Sequence, residues 1–326
     1  MEYTYLGSTG IQVSRLCMGT MTFGNEADER ESAAMFRRCR EAGINFFDCA
    51  NVYSQGRAES ILGRLSADCR DELVITTKVH GKMGTDINAG GLSRRTIIAA
   101  AEASLRRLGT SYIDIYFLHR FDPHTPLEET LAAMHDLVTQ GKVRYIGASN
   151  FAAWQIAIGL GISAVHDWAA FKCIQPMYNL VKRQAEVEIL PLAESQNLAV
   201  VSYNPLGGGL LTGKYGASIE SSENRLGKVA IYKDRYGDAW MLEAAQSYVA
   251  FARERGLHPV SLAVAWVLAH PAVTAPIIGA RNSRQLEDSL AAAEINITPE
   301  LCRELADLTP TPAPAHDRTD DLVVRK

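Results

Sequence analysis

Short apolar runs rich in Val, Ile and Phe alternate with segments of helical period along nearly the whole chain. The runs fall near residues 15–18, 44–48, 73–79, 113–118, 143–147, 171–175, 198–202 and 275–279. Continuous apolar runs of this kind read as strands buried on both faces, as in a parallel sheet. Between them, stretches such as 93–108, 127–140, 185–196 and 283–293 carry apolar residues three and four apart, the signature of amphipathic helices. Ser93 and Thr298 stand where helix N-caps belong, the second followed by Pro299 at the first helical position. Eight strands alternating with helices in 326 residues predict an α/β fold, a single (β/α)8 TIM barrel over residues 1–326. A doubly wound sheet is the competing architecture. It is disfavoured because no GxGxxG follows the first strand and no second domain boundary appears.

Three segments lie outside the alternation. Tyr3 to Val13 reads as two short strands around a Gly-rich turn, an N-terminal β-hairpin plug for the bottom of the barrel. Residues 206–240 form a long loop after strand seven, rich in Gly, Ser, Lys, Arg and Tyr. Loops this long in compact domains usually serve function. Its segment Tyr232 to Tyr236 is a candidate to close over a bound ligand, and trimming 218–236 tests that idea. Pro310 to Pro314 opens a C-terminal strap over about 309–326.

Composition removes other classes. The net charge of −4 and a pI near 6.1 give no basic footprint, so nucleic acid is not expected as a partner. No apolar run is long enough to span a bilayer, and the N-terminus lacks a secretory pattern. The six cysteines are scattered without CxxC or metal-ligand spacing. They read as reduced thiols of a cytoplasmic protein that holds no metal. Exterior helix faces permit a homo-oligomer without specifying one.

Chemistry concentrates at strand ends. Asp48 closes one run, Lys78 lies near the end of the next, His119 follows the third, and Tyr53 lies just past Asp48. The C-terminal strand ends are where a parallel barrel places its active site. A carboxylate, an ammonium, an imidazole and a phenol together can deliver a proton to a carbonyl oxygen. Each residue taken singly also fits a structural role: a buried ion pair, a core Tyr, a strand-end His. Their coincidence favours catalysis.

Several ordered segments then resemble the aldo-keto reductases. They are Leu6 to Gly24, Phe47-Asp48-Cys49-Ala50-Asn51-Val52-Tyr53, Ile146 to Phe151, Gln175-Pro176-Met177-Tyr178-Asn179 and Tyr203-Asn204-Pro205-Leu206-Gly207. The resemblance runs from Leu6 to about residue 293. It implies carbonyl reduction with NADP(H) bound without a dinucleotide-binding domain. Tyr53 is then the general acid, its phenol pKa lowered by Lys78. Asp48 fixes Lys78, and His119 orients the carbonyl oxygen.

The resemblance also assigns the cofactor site. Gly19, Thr20 and Met21 follow the first strand. Ser149, Asn150 and Gln175 match positions that hold the carboxamide, and Tyr203 matches the residue that stacks on the nicotinamide. Asn204, Pro205, Leu206, Gly207, Gly209, Leu211 and Lys214 form a Gly-rich loop for the pyrophosphate. Gly279, Arg281, Arg284, Gln285 and Asp288 surround a helix start suited to a phosphate, and two arginines favour NADP(H) over NAD(H). Loop capping and a solvated helix start are the ordinary alternatives.

Met21, Phe23, His80, Phe121 and Leu206 are candidates to line a pocket for a small carbonyl or alcohol, whereas Arg120, Asp122 and His124 either contact a polar substrate or face water, water being the preferred reading. Cys49, Asn51, Ala58, Asn204 and Ser289 stand where the family often carries Thr, Asp, Ser, Ser and Asn. The last leaves an adenine contact open. The chain also resembles potassium-channel β subunits, so an NADPH-binding regulatory subunit with slow reductase activity is a second reading. A phosphate-binding barrel isomerase or lyase is a third, disfavoured by the nicotinamide segments.

Overall fold

The computed structural model describes residues 1–214 and 230–316. The predicted hairpin is present, with β1 (Tyr3–Tyr5) antiparallel to β2 (Gln12–Ser14). Eight parallel strands follow: β3 (Cys17–Gly19), β4 (Phe46–Asp48), β5 (Val74–Val79), β6 (Ile113–Leu118), β7 (Val143–Ser149), β8 (Phe171–Gln175), β9 (Ala199–Val200) and β10 (Ile277–Ile278). Their order, β10-β3-β4-β5-β6-β7-β8-β9, keeps sequence neighbours adjacent. Backbone bonds close the remaining seam. Thr274 N–H donates to the Val200 carbonyl at 2.9 Å, and Ile277 N–H to the Ser202 carbonyl at 2.7 Å. The result is the (β/α)8 barrel that the alternation predicts.

Because side chains alternate across a strand, each strand feeds two cores. Cys17, Phe46, Val74, Ile115, Phe117, Cys173, Ala199 and Val201 pack inside the barrel. Met18, Phe47, Ile75, Tyr116, Ile146, Ile174 and Val200 face the helices. Leu6 and Val13, from the two sides of the hairpin turn, join the inner cluster and seal its lower end. Gly7 makes this docking possible. Its φ is +53°, and a Cβ there would lie 2.5 Å from the Ala199 nitrogen.

The two predicted N-caps form. Ser93 accepts the Thr96 N–H at 3.3 Å to cap helix Arg94–Leu108, and Thr298 accepts the Leu301 N–H at 3.2 Å to cap Pro299–Ala306. The expected helix over 185–196 is instead a 3-10 turn, Gln184–Glu186, followed by helix Ile189–Ser195. Pro191 supplies the reason: its ring is tolerated in a first turn and breaks a helix that starts earlier.

The stretch after β9 is more structured than a loop. A 3-10 segment covers Gly207–Thr212, and helices cover Ala230–Tyr236, Ala239–Glu254 and Pro259–Leu268. Tyr236 is wholly buried, and its hydroxyl accepts from the side-chain amides of Asn179 and Asn204, both at 3.3 Å. Residues 215–229, which include most of the segment proposed for trimming, and residues 317–326 of the strap lie outside the described residues. The start of the strap is tied down by Arg183, which donates to the Ala306 carbonyl at 2.9 Å and to Thr309 Oγ1 at 3.3 Å. Among the described residues no helix is long and apolar enough to cross a membrane.

Candidate active site

Parallel polarity brings the C-terminal ends of all eight strands to one rim. Gly19, Asp48, Ser149 and Gln175 end β3, β4, β7 and β8. Lys78 is the penultimate residue of β5, His119 and Gly279 directly follow β6 and β10, and Tyr203 lies just beyond β9. A cleft of about 1160 Å³ opens over this rim, with Asp48, Tyr53, His119, Ser149, Gln175 and Tyr203 in its wall.

Lys78 lies beneath the wall, wholly buried. Its Nζ donates to both Asp48 oxygens, at 2.7 and 2.6 Å, and to the Cys49 carbonyl at 2.6 Å. Asp48 Oδ1 also accepts from the Thr76 hydroxyl at 2.7 Å and from Gln175 Nε2 at 2.8 Å. Burial works against the ammonium, but the Asp48 carboxylate outweighs it and raises the pKa of Lys78. The Cys49 thiol is buried, which pushes its pKa well up and leaves it unreactive.

Tyr53 Oη lies 3.5 Å from Lys78 Nζ, and the Tyr53 and His119 rings meet edge-on with centroids 6.1 Å apart. Tyr53 opens a tight turn in which two non-glycine residues, Ser54 and Gln55, adopt φ of +49° and +55°. The Ser54 hydroxyl holds the turn by donating to the Phe23 carbonyl at 2.7 Å. Such left-handed backbone at non-glycine residues is costly and concentrates at functional sites. The expected fall in the Tyr53 pKa does not occur in the free protein. Burial pushes it up to about 12, and the opposing effect of Lys78 is smaller. The phenol therefore keeps its proton at neutral pH. Burial, reinforced by Lys78, His80 and Arg120, lowers the His119 pKa to about 3, so its imidazole is neutral.

A second network joins the strand ends. Tyr203 Oη donates to Asn150 Oδ1 at 2.7 Å; Asn150 Nδ2 donates to the His119 carbonyl at 2.9 Å and to Ser149 Oγ at 3.0 Å. The Ser149 hydroxyl donates to the Gln175 carbonyl at 2.9 Å. Asn150 holds φ +56°, a conformation Asn tolerates better than most residues. Thr20 is buried, with its N–H and hydroxyl both on the Asp48 carbonyl, while Gly19 and Met21 reach the cleft.

The Gly-rich loop divides. Asn204, Pro205, Leu206, Gly209 and Lys214 line the cleft, whereas Gly207 and Leu211 are turned into the core. Gly208, the glycine of the same loop between Gly207 and Gly209, also lines it. A Cβ there would lie 2.7 Å from the Tyr232 ring. Beyond β10, Gly279, Arg281, Gln285 and Asp288 line the cleft, while Arg284 is exposed outside its wall.

Two expected wall residues are elsewhere. Phe23 is wholly buried in the outer core, because its backbone is held to Thr20 and Ala27 at the foot of the first loop. Phe121 packs edge-on against Phe151, at 5.5 Å between centroids, and at a tilt against Trp154, at 6.2 Å. His80 does line the cleft, as do Lys82, Arg120, Arg235 and His258. Of the two readings of Arg120, contact with a substrate or water, the sequence favoured water, whereas the residue lines the cleft. Its position directly after His119 was the available signal.

Residues 15–309 match the Aldo/keto reductase family. The chain is 40% identical to the "Uncharacterized oxidoreductase YrpG" of Bacillus subtilis, over 96% of this chain and 97% of that protein. It is 35% identical to a "Probable voltage-gated potassium channel subunit beta" of Oryza sativa subsp. japonica, over 92% and 94% of the two chains. It is 31% identical to the "Versiconal hemiacetal acetate reductase" of Aspergillus parasiticus, over 92% and 94%. With the family pattern spanning the barrel and full-length relatives on every side, this chain belongs to the aldo/keto reductase family of oxidoreductases.

Proposed function

We propose that the protein reduces aldehydes or ketones to alcohols with NADPH, Tyr53 supplying the proton. The observation that carries this reading is a protonated phenol at the cleft wall, 3.5 Å from a buried ammonium and edge-on to a neutral imidazole. NADPH, when bound, supplies hydride to the carbonyl carbon. The chain must then bind the carbonyl oxygen and deliver a proton to it. His119, neutral, donates a hydrogen bond to that oxygen and orients it. Tyr53 gives its proton to the same oxygen as negative charge develops there. The phenolate left behind is stabilised by Lys78, whose ammonium Asp48 keeps charged. Solvent then returns the proton to Tyr53.

The donor set suits the cofactor. Ser149, Asn150 and Gln175 converge near Tyr203 at the nicotinamide end, with Gly19, Thr20 and Met21 at the end of β3 across the rim. Asn204 to Leu206, Gly209 and Lys214 serve the pyrophosphate, with Gly207 and Leu211 holding the loop from the core side. Arg281, Gln285 and Asp288 serve the adenosine 2′-phosphate end, with Arg284 beside them. Gly279 supports the fit: a Cβ there would meet nothing nearer than the Gly19 carbonyl at 3.9 Å, so the floor between β3 and β10 is open to a flat group.

The test is NADPH oxidation by the purified protein with a panel of aldehydes and ketones. Tyr53→Phe should lower turnover by about 10²-fold or more while NADPH binding, followed by fluorescence, persists. Failure to bind NADPH would overturn the cofactor assignment. The similarity to chains named as potassium channel β subunits favours a second reading, an NADPH-binding regulatory subunit with slow reductase activity. Tight NADPH binding without turnover on any carbonyl would select it.

A further inference from the structure

The cleft carries more positive than negative charge at the end where the carbonyl would sit. Arg120 directly follows His119 and lines the cleft from the rim after β6; Lys82 lines it from the loop after the neighbouring strand β5. Arg235 reaches it from helix Ala230–Tyr236, half-buried, with its guanidinium carbon 5.9 Å from the Tyr232 ring centroid.

The carboxylates near this end are already committed. Asp48 is bound by Lys78, Thr76 and Gln175 in the floor. Asp122, two residues beyond Arg120, accepts the Leu92 N–H at 2.8 Å, the His124 N–H at 3.0 Å and the Thr125 hydroxyl at 2.8 Å. Asp288, the other acidic residue of the wall among the described residues, lies on the helix after β10, 3.8 Å from His258. Among the described residues neither Arg120 nor Lys82 has a carboxylate within ion-pair distance. Both Arg120 and Arg235 are close enough to influence the Tyr203 phenol, and Arg120 also acts on His119 and His80. Arg120 and Arg235 therefore belong to the reacting end of the cleft, apart from Arg281 after β10. An exposed guanidinium beside the reacting end, with no ion-pair partner among the described residues, is a fork that matches carboxylate or phosphate oxygens.

Resting on the reductase reading of the same cleft, we infer that the preferred carbonyl substrate carries a negatively charged group, a carboxylate or a phosphate, that docks on Arg120, with Lys82 and Arg235 adding attraction. Arg120 is thus a specificity residue. It holds the remote end of the substrate while His119 and Tyr53 address the carbonyl.

Three aldehydes of similar size test this: 4-formylbenzoate, 4-formylphenyl phosphate and neutral 4-nitrobenzaldehyde, each followed by NADPH oxidation at low and high salt. At least one anionic aldehyde should show kcat/KM at least tenfold above the neutral one, with the advantage shrinking as salt rises. Whichever anion leads identifies the group. Arg120→Met should reduce the ratio of anionic to neutral kcat/KM at least tenfold, chiefly through KM, and Arg120→Lys should restore part of it. A ratio near one in the wild type, or a ratio unmoved by Arg120→Met, would overturn the inference and leave the reductase reading intact. If no aldehyde is turned over, the reductase reading fails by itself. Calorimetric binding of terephthalate to the NADPH-loaded wild type but not to Arg120→Met would still support the anion site, and equal or absent binding would overturn it.

Discussion

The Glu31 carboxylate sits on the first residue of helix Ser283–Leu290: its Oε1 accepts the Ser283 N–H at 2.5 Å and the Ser283 hydroxyl at 2.6 Å. These bonds hold Glu31 below the usual carboxylate range, so it is ionised at neutral pH. The same helix start, with Arg281 and Arg284 beside it, is the proposed 2′-phosphate site. A resident anion there repels an arriving phosphate. Glu31→Gln keeps an acceptor for Ser283 and removes the charge. NADPH should then bind about two- to fivefold tighter, from the size of charge effects at a helix terminus, with little change for NADH. Fluorescence titration of both cofactors measures this, and an equal effect on the two would refute it.

The pH profile follows from two neutral groups. Tyr53 stays protonated up to about pH 12, and His119 stays unprotonated down to about pH 3. Neither changes charge in the ordinary working range. For aldehyde reduction, kcat/KM should be level between about pH 5 and 9. A break near the ordinary histidine value that disappears in His119→Gln would contradict this.

The same imidazole has a stability signature of defined sign. Its folded pKa of about 3 lies below the unfolded value of about 6.5. Between these values the unfolded chain binds more protons than the folded one. Stability from this source is therefore complete above about pH 6.5 and is lost as pH falls toward 3. His119→Gln should flatten the acid limb of a plot of urea midpoint against pH. An unchanged limb would mean that other groups control acid unfolding.

Asn150 joins Tyr203 to the His119 backbone through one amide, and its left-handed backbone aims that amide. Asn150→Ala loses both bonds and places a poorly tolerated residue at φ +56°. Asn150→Gly relieves the backbone and still loses the bonds. Both variants should lose NADPH affinity, the Gly variant being the more stable fold. Recovery of wild-type affinity in Asn150→Gly would show that only the backbone conformation matters.

Much of this was legible in the sequence because the chemistry sits at strand ends, and strand ends are marked by apolar runs. Asp48, Lys78 and His119 follow Phe47, Thr77 and Leu118 so directly that parallel polarity alone brings them together. Loops carry no such period. Phe23 and Phe121 looked like wall residues by position and aromatic type, but local backbone bonds and ring packing turn them into the protein. Glu31 and Ser283 are far apart in sequence, and only the closure of β10 onto β3 makes their helices neighbours. The charge balance around Arg120 was equally hidden. It depends on Asp122 turning toward Leu92 and Thr125, a choice made by the fold of two loops. The fall expected for Tyr53 failed for a related reason: spacing reports which charge is near, but burial depends on everything packed around the ring.

Glu59 is wholly buried beside β5, where its Oε1 accepts the Thr77 hydroxyl at 2.5 Å and its Oε2 accepts Arg107 Nε at 2.7 Å. It thereby ties helix Arg57–Ser66 to helix Arg94–Leu108 and to the residue preceding Lys78. The Arg107 side chain is partly exposed whereas that of Glu59 is wholly buried, so the arginine charge was cheaper to place. Arg107→Met strands the carboxylate in the core, and breaking a buried pair in this way costs about 3 kcal/mol. Adding Glu59→Gln removes the stranded charge, and its amide can still serve Thr77. The double variant should therefore be more stable than Arg107→Met alone, although each single change destabilises. Urea unfolding of the four proteins in the cycle measures the coupling. Simple additivity would mean that water already reaches Glu59 and that the pair does not anchor β5.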